Sequence, residues 1–332
     1  MDFTADLDRI VREQFDKNGI SYDTSMQVSD LAASYLEMLN RRIDPRPRRV
    51  HFSEQMSESL GRLRREADTN PQKEASEAWS AVFQIRYMMA RGENVNAFLT
   101  KRIDSATGIR SRDGMLWDFG MHHFHLGVRS DRSGLVERSP YLLFAVVAEE
   151  DAYFVDVGPH PTPENLGWVR QELLRIVRAN WPEVIEPWTL HGTKGDVLTD
   201  QERARLRDKN ANVATDLDGR SVAPLGGGVT AAGSSILCRR LADELMHEID
   251  RHQTAFDTQS PDLRRALKNN GIAVDGKMEF DLVLLEQLEP TQEVIDALRA
   301  DSCFSKRLCE LGLAVVERTT RRPVVVTCAP QE

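Results

Sequence analysis

The chain of 332 residues is poor in cysteine and in long apolar runs, and its 52 acidic residues outnumber its 43 basic ones. Its four cysteines, Cys238, Cys303, Cys309 and Cys328, form no CxxC pair, which argues against a zinc knuckle or a disulfide framework and predicts reduced, buried thiols. A formal net charge of −9 excludes a nucleic-acid binder that uses its whole surface, though not a local basic patch. No apolar run approaches the roughly 18 residues of a membrane helix, so no membrane partner is expected. The opening segment "MDFTADLDRIVREQFDKNGI" is acidic early and lacks the apolar stretch of a secretory signal, and a cytoplasmic location is the expectation. GxSxG and HExxH are missing, and so is the GK[ST] ending of a Walker A loop, which disfavours α/β-hydrolases, zincins and P-loop NTPases. There is no internal repeat and no low-complexity tract.

What remains is an ordinary globular composition, 41% hydrophobic and 29% charged, in a chain long enough for two or three packed units. Residues 1–110 read as helical. Leu7, Ile10, Val11 and Phe15 share one helical stripe, "VSDLAASYLEML" supplies a second, and "SEQMSESLGRLRREAD" and "NPQKEASEAWSAVFQIRYMMARG" resume the period. Between them "RRIDPRPRRVHF", with two prolines and five arginines, reads as an extended basic linker or a phosphate contact. After residue 110 the pattern changes. "MLWDFGMHHFHLGV" reads as a strand, "YLLFAVVAEEDAYFVDVG" as a hairpin with a polar turn, and "NLGWVRQELLRIVRAN" as an amphipathic helix. The expected fold is therefore α+β, divided as a helical domain 1–110, a central domain 111–260 with an antiparallel sheet and packed helices, and a small C-terminal unit 261–332. Within that unit a helix near 262–269, an apolar segment "MEFDLVLLEQLE", a helix at 291–300 and a terminal strand "PVVVTC" are expected.

The chemistry gathers at "WDFGMHHFHLG". If residues 121–126 are extended, Met121, His123 and His125 share one face, and His122, Phe124 and Leu126 share the other, which packs inward. His123 and His125 then project together about 7 Å apart at the backbone. The hairpin's return strand ends at His160, which antiparallel pairing can bring near. Three readings stay open. Imidazoles titrate near neutral pH, so a pair can act as base and acid at a phosphodiester. The same HxH pair with His160 or Asp118 can instead ligate a divalent metal in a hydrolase or oxygenase. The third reading is structural, and His122, His51, His191, His247 and His252 belong to it.

The order of strand, basic loop and "YLLFAVVAEEDAYFVDVGPH" hairpin, about residues 115–160, resembles the central sheet of RelE/ParE-type toxins, small bacterial ribonucleases. The resemblance implies cleavage of RNA without metal or other cofactor, with His123, His125, Arg129, Arg132 and His160 around the scissile bond, and a role as a toxin or phage-defence effector. One histidine of the pair would activate the 2′-hydroxyl, His160 would protonate the leaving oxygen, and Arg129 or Arg132 would stabilise the phosphorane. This chain is longer and more acidic than such toxins, and carries histidine where they favour lysine, arginine or tyrosine.

A second candidate is "PLGGGVTAAGSSI". The backbone N–H groups of Gly226, Gly227 and Gly228, the hydroxyls of Thr230, Ser234 and Ser235, and the following helix suit a phosphate contact; the alternative is a flexible turn and helix cap. A non-catalytic rival remains, in which sheet and turn hold a nucleotide or the N-terminal helical domain holds a protein partner.

Overall fold

The computed structural model describes residues 1–69, 73–99, 113–127, 134–162, 166–195, 197–258, 261–269, 278–288, 308, 312–318, 321 and 323–324. In chain order the helices are α1 (Phe3–Lys17), α2 (Val28–Arg41), α3 (Glu54–Thr69), α4 (Lys73–Arg91), α5 (Gly114–Phe119), α6 (Glu172–Asn180), α7 (Pro182–Ile185), α8 (Asp200–Asp208), α9 (Ile236–Thr258) and α10 (Pro261–Asn269). The strands are β1 (Arg49–Phe52), β2 (His122–His125), β3 (Tyr141–Val147), β4 (Asp151–Pro159), β5 (Thr189–Leu190), β6 (Thr215–Leu217), β7 (Arg220–Val222), β8 (Phe280–Leu284) and β9 (Leu313–Glu317). The architecture is α+β, as the patterning predicts.

The chain divides into two compact units, residues 37–238 and residues 1–36 with 239–332. These are not the three consecutive blocks expected. In the unit formed by both ends of the chain, Leu7, Ile10, Val11 and Phe15 are buried as their stripe predicts. Phe3 meets Phe256 edge-on at 5.4 Å, and Phe256 meets Phe280 at 4.6 Å. The N–H of Leu282 donates to Asp6 at 2.9 Å, so α1 belongs with the antiparallel β8–β9 pair rather than with α3 and α4. The expected helix 291–300 and most of the terminal strand lie outside the described residues; Pro323 bridges to Val316.

The other unit is built on a four-stranded sheet of order β1-β4-β3-β2. The hairpin β3–β4 forms as its alternation predicts, closed by Ala148 N–H donating to Asp151 O at 2.8 Å. Helices α3 and α4 cover one face, where Met56, Leu60, Val82 and Ile85 pack with Phe124, Leu143 and Phe154. On the other face Met115, Phe119, Leu173 and Val177 from α5 and α6 pack with Met121, Leu142, Phe144 and Val155. A sheet with two apolar faces needs both covered, which draws α3 and α4 into this unit.

The segment expected as a linker is an edge strand instead. β1 runs parallel to β4, with Arg49 opposite Asp151. Arg48 is buried, donating to Ala148 O at 2.8 Å and Asp44 Oδ1 at 2.6 Å, and Arg49 holds Asp151 with both nitrogens at 2.8 and 2.7 Å. These arginines clasp the hairpin turn and are spent there. The strand expected over "MLWDFGMHHFHLGV" is shorter than predicted. Its first part is α5, capped by Asp113, which accepts from Leu116 N–H, and ended by Gly120 in the left-handed region at φ 66°.

Candidate functional site

The left-handed Gly120 turns the chain out of α5 and into β2, which pairs antiparallel with β3 so that His123 lies opposite Phe144 and His125 opposite Leu142. Alternation then fixes the faces. The rings of His123 and His125 lie 6.0 Å apart, on the side of Met121, Leu142 and Phe144, while His122 lies on the other side near Phe124, at 6.5 Å. His160 follows β4 by one residue. Its N–H donates to Pro140 O at 2.6 Å, and its ring stacks on His125 at 5.8 Å and 29°. Trp168, from a 3₁₀ turn Gly167–Val169, stands edge-to-face against His123 at 4.9 Å and His160 at 5.7 Å. The three imidazoles read from sequence thus meet on one face of the sheet.

They line a cavity of about 470 Å³, together with Arg138, Trp168, Arg207 and Asp208. Its wall carries both signs of charge, since Asp113 and Asp208 line it along with Arg138 and Arg207. Arg207 is gripped by Asp118, at 3.0 Å through Nε and more closely through a terminal nitrogen, and it also donates to Trp168 O. Arg203, 1% exposed, binds the same carboxylate at 2.8 Å and Thr215 Oγ1 at 2.6 Å. Both guanidinium groups lie over the Phe119 ring, at 5.0 and 4.9 Å. The two arginines share the Asp118 carboxylate, and burial pulls Arg207 below its ordinary pKa despite Asp118 and the nearby Asp113. Arg138 is exposed, and among the described residues it has no carboxylate partner.

The histidines differ in state. Burial, reinforced by His123, His160 and Arg138, pushes His125 down to about 3, so its ring is neutral at neutral pH. Its Nδ1 is sealed from solvent with no hydrogen-bond partner among the described residues. A buried N–H without an acceptor is the costlier alternative, so the neutral ring carries its proton on Nε2 and is a donor. His160 is oriented the other way. Its Nδ1 lies 3.1 Å from Pro161 O, an acceptor that favours the tautomer protonated on Nδ1. His122 is pushed down to about 4, chiefly by burial with Asp113 opposing.

Other expected site residues fall elsewhere. Asp118 is occupied by Arg203 and Arg207, and among the described residues no group of three His, Cys, Asp or Glu side chains is arranged to hold a metal. Arg129 and Arg132 lie outside the described residues. The glycine-rich turn is a packing device. A Cβ on Gly226 would sit 1.9 Å from Leu116 O, and Gly227 and Gly228 adopt φ 82° and 83°. The Gly227 N–H donates to Pro224 O, Gly228 to Trp117 O and Thr230 to Ser234 O, while Ser235 N–H donates to Glu37 Oε1. The Thr230 and Ser234 hydroxyls bond each other at 2.7 Å. Those amides have intramolecular acceptors.

Sequence reasoning missed Arg138, Trp168, Arg203, Arg207 and Asp208. Three of the five sit on α8, whose start is marked by a capping box between Thr199 and Glu202, a signal present in "TDQE". Comparison of the chain with family models, with curated proteins and with solved structures found no match.

Proposed function

We propose that this cavity binds single-stranded RNA at a phosphodiester and cleaves it by imidazole acid–base chemistry. The observation that carries the reading is the contact of His123, His125 and His160 on one wall of a cavity that also holds Arg138 and Arg207. An RNA phosphate carries negative charge, and Arg138 lines the cavity with no carboxylate partner among the described residues. His160 and His123 form the proton-transfer pair. One takes the proton of the 2′-hydroxyl as that oxygen attacks phosphorus, and the other protonates the 5′-oxygen as the P–O bond breaks. The products are a 2′,3′-cyclic phosphate and a 5′-hydroxyl. Neutral His125 donates from Nε2 to a phosphate oxygen, and Arg138 stabilises the charge that builds on the phosphorane. Loose in a cell, such an activity degrades RNA, the behaviour of a toxin or phage-defence effector.

The test is incubation of end-labelled RNA with the purified protein in EDTA. Cleavage to cyclic-phosphate ends is expected on RNA and not on a 2′-O-methyl copy. His160→Ala is expected to slow it about 10²- to 10⁴-fold, with partial rescue by added imidazole. Cleavage abolished by EDTA and restored by a divalent metal would transfer the three imidazoles to the ligand reading. Intact RNA, or equal rates for the variant, would end the proposal.

A further inference from the structure

Asp208 is out of place for a structural carboxylate. It is the last residue of α8, where the helix's terminal carbonyls already concentrate negative charge and an acid is disfavoured. It is exposed, and among the described residues it makes no ion pair or hydrogen bond. Yet it lines the same cavity as the imidazoles and the two arginines. An anion beside a phosphate pocket repels the ligand unless it meets a different part of it. Trp168, half-buried and lining the cavity, supplies an aromatic surface of the kind on which an unpaired base stacks. The volume of about 470 Å³ lies in the range, roughly 300 to 1,000 Å³, of sites that enclose small molecules.

We infer that Asp208 selects the base on the 5′ side of the bound phosphate, and that this base is guanine. This deepens the proposed RNA reading and rests on it. A carboxylate only accepts, so it favours the base whose pairing edge offers two adjacent donors. Guanine presents its ring N–H beside its exocyclic amine and can use both carboxylate oxygens at once. Adenine and cytosine place a ring acceptor beside the amine, and uracil flanks its ring N–H with carbonyls; each sets a lone pair against the carboxylate. Arg207, next along the helix, stays committed to Asp118 and leaves Asp208 unneutralised.

The experiment measures binding of nucleoside 3′-monophosphates to the full chain by calorimetry. The decisive pair is 3′-GMP and 3′-IMP, which differ only in the exocyclic amine. 3′-GMP is expected to bind about tenfold or more tighter, the worth of one hydrogen bond to a charged group. Asp208→Asn is expected to shrink that gap to about twofold and to tighten 3′-UMP, because it removes the carboxylate that opposes uracil's carbonyls and the phosphate. Equal affinities for 3′-GMP and 3′-IMP, or a gap that survives Asp208→Asn, overturn the inference. The two proposals fail separately. RNA cut alike after all four bases refutes guanine selection and keeps the cleavage reading. Selective 3′-GMP binding with intact RNA keeps the base site and removes the chemistry.

Discussion

At the scale of single residues, the histidine that the chemistry leaves aside also reports on stability. His122 is 9% exposed, and burial pushes its pKa from 6.5 down to about 4. Above pH 6.5 folded and unfolded chains both carry it neutral. As the pH falls from 6.5 towards 4, the unfolded chain takes up a proton that the folded chain refuses, so unfolding becomes easier. The loss over that window is on the order of 3 kcal/mol from this group. Urea denaturation of wild type and His122→Gln between those pH values checks it. The variant should lose stability less steeply on acidification, and parallel curves would show that His122 does not couple protonation to folding. The face assignment behind this contrast was legible from the sequence, because a strand's period of two separates His122 from its neighbours whatever the strand packs against.

At the scale of elements, legibility followed apolar pattern. The hairpin could be anticipated, whereas the meeting of His125 with His160 depends on a register that local pattern leaves open, in which β3 lies between their strands with Leu142 opposite His125 and Tyr141 opposite Pro159. Helix α8 could not be found that way. In "DQERARLRD" the buried residue is Arg203, so no apolar stripe marks it and its cap is the only local signal. β1 was hidden by its arginines, whose partners on the hairpin turn lie about a hundred positions away. The glycine-rich turn misleads in the opposite sense, since close packing and anion binding both call for glycine. The two uses separate under mutation. Gly226→Ala drives a methyl group into the backbone of Leu116 and Trp117 and should destabilise the protein by about 3 kcal/mol. Gly219→Ala, in open space at φ 80°, should cost only about 1 kcal/mol. Thermal melts of the two variants should therefore differ clearly, and similar melting temperatures would contradict the packing role.

At the scale of the whole molecule, local sequence pattern carries least. That residues 1–36 fold with 239–332 depends on contacts such as Phe3 with Phe256, separated by most of the chain, and no local period encodes them. Net charge, by contrast, is readable at once and constrains the proposed activity. A chain at −9 cannot draw RNA in over a broad surface, so binding must rest on the few cations of the cavity. For single strands the slope of log affinity against log salt is about −0.7 per phosphate contact, so Arg138, the cavity arginine with no carboxylate partner among the described residues, predicts about −0.7. Arg138→Gln should remove that slope without unfolding the protein, because the side chain is exposed. Titration of a short RNA at several salt concentrations measures both. A slope steeper than about −3 would require four or more phosphate contacts, and would move the RNA-binding surface away from this cavity.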